Sequence, residues 1–193
     1  MVRDYALAAS GLLVRDIGGP SVKPYQPPGV WEAVAIDGSN TQYYQRDSGD
    51  NLYRRSLYTF WKRSAPPASM EIFNAPSPEF CVVSRERTNT PLQALAAMND
   101  VQMVEAARHL AEQVMRGPGD FATQLRRLSM QTLCRPLNQA EVSVVRQSFE
   151  QLLHYYQSKP EDAAELIAYG ESEADPTLDP ATLAAWTMTA NQL

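Results

Sequence analysis

The chain has 193 residues, 17 of them Lys or Arg and 22 Asp or Glu, for a net charge of −5. It therefore lacks the basic surplus with which general nucleic-acid binders neutralise phosphates. Its 44% hydrophobic and 20% charged residues are the make-up of an ordinary globular protein with a core of its own. No apolar run reaches the roughly 20 residues that cross a bilayer. The N-terminal stretch MVRDYALAASGLLVRD carries internal charge and too short an apolar run for a signal peptide.

The two cysteines, Cys81 and Cys134, belong to no CxxC or CxxCH pattern, so no cysteine zinc site or haem attachment is written in this chain. Two buried thiols are expected ahead of a disulfide between them.

In chain order, residues 3–14 read as a short helix with Leu7, Leu12 and Leu13 on its apolar side. It starts without a cap, and the run Leu183, Trp186, Thr187, Ala190 ends without a stop signal. Both ends suggest one domain that is a fragment of a larger one, with a loop-rich, partly β portion over 1–89 and a helical portion over 90–193. GGPSVKPYQPPG (18–29) is proline-stiffened loop. WEAVAI and TQYYQR around DGSN read as a hairpin. Ser56–Trp61 (SLYTFW) has strand composition, and MEIF and FCVV read as two further strands around an NAPSP turn.

The helical half is more sharply marked. Thr90, Pro91 and Gln93 form a capping box with proline at the first helical position. Asn99 ends that helix, and Asp100 caps a second running to Arg116, where Gly117 and Pro118 stop it. Asp120 caps the next helix, Asn138 and Glu141 form another capping box, Pro160 breaks the long run that follows, and Asp179-Pro180 opens the last helix. The expected fold is mainly α: a C-terminal helical bundle and a loop-rich N-terminal half carrying a small β-sheet or hairpins.

Few residues suggest chemistry. His109 and His154 stand on different predicted helices with no carboxylate at ligand spacing, so no metal site is expected. No GxSxG, HExxH or phosphate-binding glycine loop occurs. The arginines stand out instead. Arg54, Arg55, Arg85 and Arg87, with Lys62 and Arg63, gather in the central stretch of an acidic chain. Arginine forks beside the N-terminus of the helix at Pro91 suit a carboxylate, sulfate or phosphate. Arg85, Arg87 and Asn89 are the first candidates for a ligand site, followed by Arg54, Arg55 and Trp61. The simpler reading pairs the arginines with Glu71, Glu79 and Glu86. Aromatic faces such as that of Trp61 can also stack on sugar rings, although most aromatics near a strand are core.

The segments RRSLYTFWKR and RERTNTPLQAL, with GLLVRDIGGPSVKPYQPPGVWE before them and MNDVQMVEAARHLAE after, resemble the PSD-one domain. This is a domain of unknown function at the C-terminal end of planctomycete cytochrome-domain proteins. Val101 stands where relatives often have proline. The resemblance implies an extracytoplasmic (periplasmic or cell-surface) setting and upstream domains of the same polypeptide as partners. It implies no cofactor in this chain, with c-type haem belonging to an upstream domain, and it supplies no catalytic residues. Three functions stay open: an accessory domain of an exported, redox-linked protein that binds polysaccharide or a partner domain; an enzyme acting on an anionic, sulfated carbohydrate through the arginine cluster; and a purely structural scaffold.

Overall fold

The computed structural model describes residues 2–193. The protein is mainly helical, with α1 (Val2–Ala9), α2 (Ala68–Ile72), α3 (Pro91–Asn99), α4 (Val101–Arg116), α5 (Phe121–Leu133), α6 (Gln139–Ser158), α7 (Pro160–Ile167) and α8 (Pro180–Gln192). It divides into two compact units, one of residues 3–13 with 101–193 and the other of residues 14–100.

In the helical unit, α8 packs against α4, α6 and α7. It is apolar almost all round, and Leu183, Ala184, Ala185, Trp186 and Ala190 are buried, as befits a central helix. Its two buried threonines, Thr187 and Thr189, donate their hydroxyls to the carbonyls of Leu183 and Ala185, 2.8 Å away in each case. Phe121, Phe149 and Trp186 form a ring cluster with centroids 4.7–5.2 Å apart. The helix starts fall where the capping residues demand. Asn138 and Glu141 form a reciprocal box, and Asp120 and Asp179 accept from Thr123 N and Thr182 N.

α1 belongs to this unit from Arg3 on and is shorter than the sequence suggests. Gly11 ends it in the left-handed region at φ 77°, where a Cβ would sit 3.0 Å from Gln113 Nε2. Arg3 Nε donates to Gln102 Oε1 at 2.5 Å, Gln113 Nε2 donates to Ser10 O at 2.5 Å, and Tyr5 OH donates to Thr132 O.

The other unit departs from the expected small sheet. Among the described residues there is no sheet, only isolated bridges at Val14–Arg54, Val22–Thr59 and Lys62–Ala65. The prolines explain the failure. Val22 N donates to Tyr58 O and Phe60 N to Val22 O, both at 2.8 Å. The next donors of that ladder would come from Pro20 and Pro24, which have no N–H to give. The SLYTFW run accordingly opens as a 3-10 turn, Ser56–Tyr58.

The WEAVAI–TQYYQR hairpin does not form either. Trp31 is buried against Tyr44 and Phe60 with centroids 4.9 and 5.6 Å away, and a 3-10 turn, Glu32–Val34, follows it. Core burial of the indole outweighs a two-stranded ribbon that would be marginal alone. MEIF lies largely in α2, which begins directly after Pro67. FCVV is exposed and carries no ladder. Both cysteines are free and exposed, so neither the buried-thiol reading nor the disulfide holds.

Candidate functional site

Arg54 is buried and structural in its contacts. Nη1 donates to Pro20 O at 2.9 Å, and Nη2 donates to Gly18 O. Gly18 and Gly19, both at φ 82°, turn those carbonyls inward, a conformation that suits glycine. The guanidinium also lies 4.0 Å from the Tyr58 ring centroid, with that of Arg55 at 5.7 Å. Tyr58 has its pKa lowered, chiefly by the Gly18 N–H it accepts at 2.9 Å and then by Arg55 and Arg54.

Arg85 is similarly engaged, donating to Asn74 O at 3.1 Å and Phe73 O at 2.6 Å just beyond α2. Arg87 and Asn89 are exposed. The backbone carbonyls that Arg54 binds belong to residues 16–20, and those that Arg85 binds belong to residues 73–74. At the start of α3, Gln93 gathers three groups. Its Oε1 accepts from Thr90 N at 3.1 Å, and its Nε2 donates to Ile72 O at 2.9 Å and Thr88 Oγ1 at 2.8 Å.

Trp61 stands in an open cleft of about 230 Å³, lined also by Arg63, Pro66, Glu71, Ala75, Ser77 and Glu79. Arg63 Nε donates to Glu79 Oε1 at 2.7 Å. An aromatic face beside two carboxylates, a guanidinium and a hydroxyl offers both stacking and hydrogen bonds in both directions. Of the sequence candidates, Trp61 lines this cleft.

A second polar cluster escaped the sequence reading. Glu105, Arg108 and Glu112 are buried on α4, where their i, i+3 and i+7 spacing puts them on one face. Glu105 Oε1 accepts from the N–H groups of Glu171 and Ser172 at 2.9 Å and from Ser172 Oγ at 2.6 Å. Arg108 donates to Ser172 O at 2.7 Å, Glu173 O at 3.2 Å and Glu112 Oε1 at 2.6 Å. Arg116 reaches Asp175 Oδ2 at 2.7 Å. Gly170, at φ 96°, lets the loop pass where a Cβ would lie 2.4 Å from Glu105 Cδ.

His109 Nε2 lies 2.9 Å from Ser172 Oγ, which raises the question of a nucleophile–base pair. The geometry argues against it. The two loop N–H groups that could stabilise an oxyanion already bind Glu105, and the nearest acceptor for the Ser172 proton is Glu105 rather than the imidazole. Burial, followed by the charge of Arg108, lowers the His109 pKa. The ring therefore stays neutral near pH 7 and donates or accepts one bond within the clamp. The spacing of the charged residues on α4 was the available signal; the loop partners of Glu105, Arg108 and Glu112 lie more than 60 residues away, where no local pattern points.

Compared with known families, residues 1–149 match PSD1, a protein of unknown function (DUF1553). The chain belongs to the PSD1 family. No curated protein and no solved structure matches it. The Trp61 cleft, Arg54 and the α3 start of this PSD1 chain all fall inside the matched region, whereas the 170–175 loop lies beyond it. Among the described residues, no group of three or more His, Cys, Asp or Glu could hold a metal ion. No helix among them is long and apolar enough to cross a membrane.

Proposed function

We propose that this PSD1 chain is an accessory binding domain of an exported, redox-linked multidomain protein, and that it takes a saccharide in the Trp61 cleft. The observation that carries the reading is the cleft itself. A sugar presents an apolar ring face and a fringe of hydroxyls, which an indole flanked by Glu71, Ser77, Glu79 and Arg63 complements. The exported, cytochrome-linked setting rests on the sequence resemblance. Binding through a cluster of arginines has less behind it, because Arg54 and Arg85 spend their N–H groups on backbone carbonyls.

The test is a glycan array followed by titration calorimetry of the best hit. Replacing Trp61 with alanine is expected to weaken that hit at least about tenfold, as loss of a stacking face and its hydrogen-bonded flank would. An array without hits, or unchanged affinity in the variant, overturns the reading.

A second reading has its own observation. Phe80, Val82 and Val83 in the loop, and Leu92, Leu95 and Met98 on α3, are all exposed, and α3 contains no charged residue. Such a surface suits docking onto another domain of the same polypeptide. Hydrogen exchange would then show α3 amides slower in the longer polypeptide than in this chain, and equal rates would remove the idea.

A further inference from the structure

The consecutive helices α5 and α6 meet through the rings of Phe121 and Phe149 and through Arg146, which lies over the Phe121 ring. Toward the turn that joins them they leave a hollow of about 340 Å³, lined by Ala122, Leu125, Arg126, Ser129, Pro136, Leu137 and Val142. Leu137 and Val142 stand on either side of the Asn138 cap, and both remain partly exposed there. The volume lies within the range of small-molecule sites. At about 30 Å³ per water-sized group, it takes roughly ten heavy atoms.

Its chemistry is one-sided. Five of the lining side chains are aliphatic or proline. The hydroxyl of Ser129 donates to Arg126 O at 3.0 Å, so its proton is spent. That leaves the guanidinium of Arg126 as the side-chain donor at the hollow. Arg126 makes no side-chain hydrogen bond or ion pair among the described residues, while its neighbours are committed. Arg127 donates to Val114 O and Pro118 O, Arg135 pairs with Glu141, and Arg146 lies over the Phe121 ring. An unengaged cation beside an apolar hollow is complementary to a molecule with one anionic end and an aliphatic body.

We propose that the α5–α6 hollow is a binding site for a medium-chain carboxylic acid, its aliphatic chain against Leu125, Leu137 and Val142 and its carboxylate on Arg126. The site is separate from the Trp61 cleft and does not rest on the saccharide reading.

The probe is decanoate below its micellar concentration, followed by titration calorimetry and by the melting temperature of the whole chain, with decanol as the uncharged control. Saturable binding of decanoate at least tenfold tighter than decanol is expected. Arg126→Gln should lose most of that preference. Ala122→Trp, placing an indole in the hollow from an exposed position, should abolish binding of both. Both replaced residues are exposed, so the variants keep the fold. The proposal is overturned if decanoate does not saturate, if decanol binds equally well, or if either variant binds decanoate within twofold of the parent.

Discussion

Arg108 Nη1 lies 2.6 Å from Glu112 Oε1, one helical turn further along α4, and both side chains are sealed from solvent at 0% and 4% exposure. The pair is useful because each partner has further bonds to make: Arg108 to the carbonyls of Ser172 and Glu173, Glu112 to the N–H of Asp175. Removing one partner strands the other charge. Arg108→Ala should destabilise the helical unit by about 3–5 kcal/mol in urea unfolding. Replacing Arg108 and Glu112 together with Met and Leu should cost less than the sum of the single changes. Additive effects would mean that the pair is not coupled.

Gln93 is the polar hinge of the other unit, because one side chain serves the Thr90 cap, the end of α2 and Thr88. Gln93→Ala is expected to cost about 1–3 kcal/mol, more than a cap on an isolated helix, since Ile72 O loses a buried donor as well. Gln93→Glu keeps the acceptor but loses both amide donations and should fall nearly as far. Chemical denaturation followed by Trp31 and Trp61 fluorescence reads both.

Cys134 sits at φ 55°, the left-handed residue that ends α5. That position favours glycine or asparagine, and a residue with a Cβ carries about 1 kcal/mol of strain there. Cys134→Gly should therefore leave stability unchanged or raise it by up to about 1 kcal/mol. A clear loss would show that the thiol, beside Tyr5, contributes more than the backbone gains.

The pH dependence has two windows. His109 has a folded pKa below its ordinary 6.5, through burial first and Arg108 next. The unfolded chain therefore binds the proton more readily. The His109 contribution is complete above about pH 6.5 and is lost as pH falls through the folded pKa. His109→Gln should flatten the decline in denaturation midpoint on going from neutral to mildly acid pH.

The second window is more acidic. Glu141 is held at about 2 by Arg135 and then by the Asn138 N–H. Asp175 is held at about 2 by the Thr177 hydroxyl and N–H and by Arg116. Their contributions are present above the ordinary values of 4.5 and 3.8 and disappear as pH falls towards 2. The paired variant Glu141→Gln/Asp175→Asn should remove part of that acid slope while leaving the His109 window in place.

What the sequence made legible was local. The boxes at Thr90–Gln93 and Asn138–Glu141 and the stop at Gly117-Pro118 are written within four residues of the feature they create, and the helices begin and end there. Strands need partners, and composition does not reveal that the partner of Thr59 is Val22, with Pro20 and Pro24 on either side of it. The Glu105–Arg108–Glu112 spine was hidden for a similar reason. Its charges look like a solvated helix face until the 170–175 loop is laid across them. Trp61 was identified by residue type, and only its neighbours across the turn, Glu71 to Glu79, reveal the cleft.

The place of α1 sets an order of events in synthesis. Residues 3–13 complete a unit whose remaining residues begin at 101. Tyr5 finds its acceptor at Thr132, 127 positions later. At translation rates of about 5–20 residues per second, that interval is roughly 6–25 s. During it Leu7, fully buried in the finished fold, has no native site to enter. A nascent chain stalled between residues 14 and 100 would offer this helix to chaperones, and release past the end of α5 would withdraw it.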